Sequence, residues 1–206
     1  MGRNERSAYA DPVRYSSVPT EQLEDPWADL EPDAKRARLL AAAQQVFAEQ
    51  GLDAPMPAIA RAAGAGVGSL YRQFASKDDL VAALAEGYLA RLRVKLEAAL
   101  EEDDAWAALE RLLWTVLGDS AADDVAAKAL HLAADHGVAE VSAGREGVRS
   151  LLDRLVSRAR EQGTMRADAT RLDVSLVINA ARAVRRLEPD AWRRMVELAL
   201  DGLRAR

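Results

Sequence analysis

The residues from Ala63 to Phe74, AGAGVGSLYRQF, combine three closely spaced glycines with a leucine, two aromatic side chains and an arginine. Glycines at this spacing occur in loops whose backbone amides bind phosphate. One class of such loops ends in Gly-Lys-Ser/Thr, and the other follows a β-strand. This segment contains no lysine, and the residues before it have a helical pattern. We therefore interpret it as a tight turn that begins a short helix, not as a phosphate-binding loop.

The short helix that follows the turn has the composition expected of an element that enters the major groove of DNA. Leu70 and Phe74 are four residues apart, so they would hold one face of this helix against the helix before it. Gly66 and Gly68 leave its beginning almost without side chains. A helix that is packed from behind and open in front fits a major groove. The segment thus predicts a helix-turn-helix.

The residue composition does not favour a catalytic site or a metal site. The chain has no cysteine, which excludes disulfides, thiolate metal sites and cysteine nucleophiles. His131 and His136 are five residues apart, about 140° around a helix, which is unsuitable for joint ligation of one metal ion. No cluster of nucleophile, base and paired carboxylates accompanies them. We therefore expect no enzyme, no metal site and no cofactor.

Charge is distributed unevenly along the 206 residues, whose net charge is −5. Residues 31–77 have six Lys or Arg against four acids, whereas residues 1–30 have three against six and residues 78–206 have 19 against 23. The negative total argues against a protein that coats nucleic acid, but the local positive charge fits a small DNA-binding surface. The sequence has neither an apolar run of about 18 residues nor a signal-peptide core. We therefore expect a cytoplasmic protein with no membrane partner.

The spacing of leucine and alanine predicts an all-α fold. Residues 1–30 have no period and are predicted to be a flexible tail. Residues 31–77 are predicted to form the three-helix DNA-binding domain, and residues 78–206 a helical domain. Ser76 and Asp79 would cap a long fourth helix that ends near residue 101 and spans roughly 37 Å. Later helices are predicted at residues 105–117, 123–135, 147–161, 171–187 and 190–204.

The stretch RARLLAAAQQVFAEQGLDAPMPAIARAAGAGVGSLYRQFASKDDL, residues 36–80, resembles the DNA-binding domain of the TetR (tetracycline-repressor-like) family. The matching features are Phe47 and Gly51 at the end of the first helix, IARAAG, GSLYRQF, and Ser-Lys at the start of the fourth helix. The later stretches GTMRADATRLD and WRRMVELALDGLRAR resemble the regulatory domain of the same family. Ala54 and Pro55 depart from the pattern, because the family often has a hydroxyl residue as the cap of the second helix.

The resemblance implies roles for the residues around the short helix, which would be the recognition helix. The residues assigned to DNA contacts are Arg61, Gly66, Val67, Ser69, Tyr71, Arg72, Gln73 and Lys77. Few of these side chains can pair with a base through two hydrogen bonds, so we expect phosphate contacts to dominate affinity and DNA shape to contribute to specificity. Two alternatives stay open: Tyr71 packs half-buried, and Arg72 forms an intramolecular pair.

The resemblance also implies a C-terminal domain that dimerises and often holds a small ligand. Apolar faces on the last two helices predict a four-helix interface between two copies, unless these faces fill the core of one copy. The interface residues would be Leu172, Leu176, Val184, Trp192, Val196 and Leu203. The ligand-pocket residues would be Trp106, Trp114, His131, Asn179 and Arg182. Core packing explains the two tryptophans equally well, and the last two residues could equally lie at the interface.

These observations lead to two hypotheses about function. In the first, the protein is a TetR-like repressor that binds a palindromic operator in double-stranded DNA as a homodimer. A small, largely apolar effector would release it by changing the spacing of the recognition helices, with the long fourth helix as the lever. In the second, the protein is a constitutive DNA-binding dimer without a small-molecule effector.

Overall fold

Nine α-helices make up most of the part of the chain that the structure describes. The computed structural model describes residues 27–118, 121–188 and 191–205. After a 3-10 turn at Trp27–Asp29, the helices are α1 (Pro32–Gln50), α2 (Met56–Ala62), α3 (Val67–Gln73), α4 (Lys77–Leu100), α5 (Ala105–Gly118), α6 (Ala121–Asp135), α7 (Ala139–Glu161), α8 (Arg171–Leu187) and α9 (Ala191–Leu203). The predicted all-α fold is confirmed. The tail predicted for residues 1–30, except its last four residues, and the predicted start of the last helix at residue 190 lie outside the described residues.

The starts of α4 and α8 are fixed by short-range hydrogen bonds, and those at α4 are the ones predicted from Ser76 and Asp79. At α4, the Asp79 N–H donates to Ser76 Oγ at 3.1 Å, and the Ser76 N–H donates to Asp79 Oδ2 at 2.9 Å. Before α8, the Thr170 hydroxyl and N–H each donate to Asp173 Oδ2 at 2.7 Å. These hydrogen bonds from Thr170 lower the pKa of the Asp173 carboxyl. Both arrangements pair backbone N–H groups that the first turn of a helix leaves without partners.

Helix α7 is the element whose observed start differs most from the sequence prediction. It begins at Ala139, eight residues before the predicted start at Gly147. Glycine is unfavourable inside a helix, so Gly144 and Gly147 weaken the helical signal there. The structure explains the first of them, because a Cβ at Gly144 would lie 3.1 Å from Cδ1 of Leu89 in α4. Close packing of α7 against α4 therefore outweighs local propensity.

The first three helices and the first half of α4 share one hydrophobic core with α6. Ile59 and Leu70 have no exposed surface, and Phe74 is 2% exposed. Val125 and Ala129 of α6 belong to the same core. Helices α1 to α3, called the head below, therefore pack directly on α4 and α6. A movement of α4 or α6 would reach α3 through continuous contacts.

A second core lies between the end of α4 and helices α5, α7, α8 and α9. The connection between α4 and α5 is held by α7, where the Arg158 guanidinium donates to the carbonyls of Leu100 and Glu102. The Gln162 side chain accepts a hydrogen bond from the Ala105 N–H at 3.0 Å. These contacts satisfy backbone groups at the end of α4 and the start of α5. None of the described helices combines the length and apolar composition needed to cross a lipid bilayer.

Candidate DNA-binding surface and effector cavity

Helix α3 is held from behind by buried side chains and by α1. Gly64 adopts φ +66°, a left-handed conformation that suits glycine and turns the chain between α2 and α3. Leu70 of α3 and Phe74, directly after α3, are both buried in the core. The Arg36 guanidinium of α1 lies 4.4 Å from the centre of the Phe74 ring and donates to the Gln73 carbonyl at 3.4 Å. The back of α3 is thus fixed, which leaves its other face for a partner.

The residues predicted to contact DNA lie at the surface of the head, fully or partly exposed. They are Arg61, Gly66, Val67, Ser69, Tyr71, Arg72, Gln73 and Lys77. Val67 and Tyr71 are 39% and 47% exposed and, four residues apart, share the front of α3. Arg72 Nη2 donates to Ser69 Oγ at 2.7 Å, which is the intramolecular pair considered for this arginine. Lys77 lies at the N-terminus of α4, where its Nζ is 5.9 Å from the centre of the Phe47 ring.

Two basic residues of α1 that were not predicted as DNA contacts also approach α3. Arg36 contacts the last turn of α3, as described above. Arg38 reaches the turn between α2 and α3, because its Nη2 would lie 3.2 Å from a Cβ placed on Gly64. The available signal was the run KRAR directly before the first buried leucine. These side chains add positive charge beside α3.

The glycines at the start of α3 leave open space in front of it. A Cβ on Gly66 would meet no atom of the described residues within 4 Å. A Cβ on Gly68 would meet only the flexible end of Arg72, at 3.8 Å. Packing among residues 27–118, 121–188 and 191–205 therefore does not require glycine at either position. The bare surface instead lets another molecule approach the backbone closely.

A cavity of about 300 Å³ lies between helices α4 to α8. This volume is at the lower end of the roughly 300–1,000 Å³ of ligand cavities. Three of the five residues predicted for a ligand pocket line it, namely His131, Asn179 and Arg182. The Arg182 guanidinium donates to the Tyr88 hydroxyl and lies 3.7 Å from an Asp124 carboxylate oxygen. The cavity therefore combines an apolar wall with fixed polar groups.

The two predicted pocket tryptophans lie elsewhere. Trp106 is 4% exposed within the second core, with the Arg204 guanidinium 5.6 Å from its ring centre. Trp114 packs against Trp192, with 6.0 Å between the ring centres. Neither lines the cavity: Trp106 is buried in the core, and Trp114 packs against that core while staying partly exposed. Arg145, Arg149 and Arg171 do line the cavity, although none of them was predicted from the sequence. The available signal was the four-residue spacing of two arginines beside apolar residues of α7.

The residues predicted for a dimer interface divide into two groups. Leu172 and Leu176 of α8 are 59% and 57% exposed, and Val184 is half-buried. Trp192, Val196 and Leu203 of α9 are 4%, 0% and 8% exposed. These three side chains pack inside the core of one copy, so they offer little surface to a second copy. Of these six predicted residues, the ones that expose most apolar surface therefore lie on α8.

Helix α3 is short, is fixed from behind, is open in front and is flanked by basic side chains. This arrangement is typical of a helix-turn-helix DNA-binding protein. Residues 39–84 match the family model of bacterial regulatory proteins of the TetR family. Residues 104–205 match the model of the C-terminal domain of SbtR-like transcriptional regulators. The chain belongs to the TetR family of transcriptional regulators, which confirms the resemblance seen in the sequence.

Solved structures support the assignment across most of the chain. The TetR transcriptional regulator SCO0520 from Streptomyces coelicolor is 31% identical, with a TM-score of 0.61 over 82% of this chain and 98% of that chain. A TetR regulatory protein from Mycobacterium vanbaalenii is 29% identical, with a TM-score of 0.58 over 82% and 95%. The fatty acid degradation regulator FadR from Bacillus halodurans, 24% identical, shares the fold with a TM-score of 0.66 over 86% and 99%. No curated protein sequence matches the chain.

Proposed function

We propose that the protein is a cytoplasmic transcriptional repressor that binds a palindromic operator as a homodimer and is released by a small, largely apolar ligand in the cavity. The observation that carries the proposal is α3 itself, a helix of seven residues whose back is buried and whose front is bare. Such a helix fits a major groove, and a twofold dimer places two of them about one turn of DNA apart. Selection of bound sites from random duplex DNA tests this directly. We expect an inverted repeat, and a single asymmetric site would contradict the proposal.

The proposed dimer is supported by the exposed face of α8. Leu172, Leu176 and Leu187 follow one another along the helix and are each more than half exposed, at 59%, 57% and 80%. Leu187 lies on the same side of α8, about three turns beyond Leu176, and exposed leucines that share one side of a helix are typical of an interface. Two copies that pair α8 and α9 would cover it in a four-helix arrangement.

The proposed release depends on α4, which links the cavity to the head. Tyr88 and Leu92 of α4 line the cavity, and the same helix begins at Lys77 beside α3. At 1.5 Å per residue, its 24 residues span roughly 36 Å. A ligand that binds more tightly to one position of α4 would shift the population of dimers towards that position. The spacing of the two α3 helices would change with it. An operator Kd that no ligand changes would instead indicate a constitutive DNA-binding dimer.

Replacement of Gly68 with alanine is expected to separate stability from DNA binding. Because a Cβ there meets only the end of Arg72, the head should become more stable, by up to about 1 kcal/mol. The added methyl group occupies the front of α3, so operator affinity should fall. Gly147→Ala in α7 is the matched control, since a Cβ there meets no atom of the described part of the chain within 4 Å. Thermal unfolding and operator titration of both variants would make the comparison. Unchanged operator affinity of Gly68→Ala would show that DNA does not contact the front of α3.

Replacement of Lys77 with alanine is expected to weaken binding to all DNA sequences alike. Lys77 carries its charge at the N-terminus of α4, where the helix already favours an anion. Loss of one phosphate contact should lower the slope of log K against log salt by roughly 0.9. Lys128→Ala, an exposed lysine on α6, should leave the slope unchanged. Titrations at several salt concentrations measure both slopes, and equal slopes in the Lys77 variant and the parent would exclude a phosphate contact.

A further inference from the structure

We propose that the cavity between α4 and α8 binds an amphipathic organic anion, a carboxylate with a small apolar body, whose charged group is bound by Arg145 and Arg149. The proposal rests on the proposed function only for the expectation that the bound anion releases the operator. The binding step itself depends only on the composition of the cavity.

The apolar part of the ligand is set by the cavity walls. Leu92 and Leu96 of α4, Leu113 of α5 and Ile178 of α8 are among the side chains that line it. Burial of an apolar body against such a wall is favourable in proportion to the area removed from water. The volume of about 300 Å³ limits that body to a short chain or a single small ring system.

The charge of the ligand is set by the polar side chains of the same cavity. Four arginines line it, namely Arg145, Arg149, Arg171 and Arg182, and none of the described lining residues is acidic. Several like charges around a space of low polarity raise the local potential and are stabilised by an anion. A cationic ligand would add to the repulsion among the arginines, and a neutral ligand would not reduce that repulsion.

Two of the four arginines already have close carboxylate partners outside the lining. Arg182 lies 3.7 Å from Asp124, and Arg171 Nε donates to Asp153 Oδ2 at 3.1 Å. These pairs hold both guanidinium groups in place and partly neutralise them. They therefore shape the cavity wall more than they attract an anion.

The other two arginines are placed to bind a carboxylate. Arg149 lies 3.6 Å from Glu146, whose side chain is 73% exposed, so this surface pair is weak. Within the described residues, no carboxylate forms an ion pair with Arg145. The two arginines are four residues apart on α7 and so lie on the same side of the helix. A guanidinium binds a carboxylate through two parallel hydrogen bonds, which gives the ligand a defined orientation.

The test compares three ligands of one shape and different charge on the full-length protein without DNA. Octanoate, 1-octanol and octylamine are titrated at low ionic strength, and binding heat is measured. We expect octanoate to bind about tenfold or more tighter than 1-octanol, and octylamine to bind most weakly. Equal affinities for the three probes, or no binding of octanoate, would overturn the proposal.

Variants of α7 locate the charge and control for folding. Arg145→Gln and Arg149→Gln should each weaken octanoate binding about tenfold while leaving 1-octanol binding unchanged, which also verifies that the cavity is intact. Arg154→Gln removes the same charge from an exposed position on the same helix, outside the cavity, and should change neither affinity. Retention of full octanoate affinity by both cavity variants would overturn the assignment.

Operator binding is measured separately, so that the two proposals can fail independently. If octanoate binds with the expected preference but does not release the operator, the anion proposal stands and the ligand-release function fails. If 1-octanol binds as tightly as octanoate and releases the operator, the release function stands and the anion proposal fails.

Discussion

Replacement of Leu176 with glutamate is expected to convert the proposed homodimer into monomers and to weaken operator binding by about 100-fold or more. Leu176 is 57% exposed and lies one turn after Leu172 on the same side of α8. A carboxylate there would have to be buried without a partner in the dimer, whereas in the monomer it stays in water. Two linked half-sites bind DNA about 10²–10⁴-fold more tightly than one, and a monomer loses this gain.

The measurement needs both the oligomeric state and the operator Kd of the same samples. Sedimentation should show a dimer for the parent and a monomer for Leu176→Glu at micromolar concentration. Val94→Glu is the matched control, because Val94 of α4 is 63% exposed and lies on another helix. Its dimer and its Kd should not change. A variant at Leu176 that stays dimeric would exclude the exposed face of α8 as the interface.

The helices follow closely from the sequence because their signals are local. The bounds of α3 and α8 agree with the pattern of apolar residues, and the Ser76–Asp79 box fixes the start of α4 within a single turn. Cap residues and glycine conformations act over three or four positions, so the sequence alone contains the information. The start of α7 does not follow, since Gly144 is explained only by Leu89, a residue from a distant part of the chain.

The use of each apolar or charged face depends on tertiary contacts, which the sequence does not specify. Leu172 and Trp192 occur on similar amphipathic helices, but the first is 59% exposed and the second 4% exposed. A periodic apolar face is equally suited to a core and to an interface, so periodicity cannot separate the two. Three of the four arginines of the cavity, Arg145, Arg149 and Arg171, were missed for the same reason. Arg145 and Arg149 resemble solvated surface charges until α4, α5 and α8 enclose the space beside them.

Replacement of Leu70 with alanine is expected to have the largest effect on the stability of the head. Leu70 has no exposed surface and belongs to the core that joins α3 to α4 and α6. Truncation of a buried leucine to alanine costs about 2–5 kcal/mol in the free energy of unfolding. A helix of seven residues is not stable in isolation, so α3 depends on such packing for its conformation. Specific operator binding should therefore be lost together with stability.

The neighbouring residue Val67 provides the contrasting variant on the same helix. Val67 is 39% exposed and lies on the front of α3, so Val67→Ala should change the free energy of unfolding by less than about 0.5 kcal/mol. Its methyl groups are available to a thymine methyl or to the groove wall, and their removal should weaken operator binding without unfolding. Urea unfolding and operator titration of both variants separate the two faces of the helix. If Leu70→Ala were as stable as Val67→Ala, burial of Leu70 could not be what holds α3 in place.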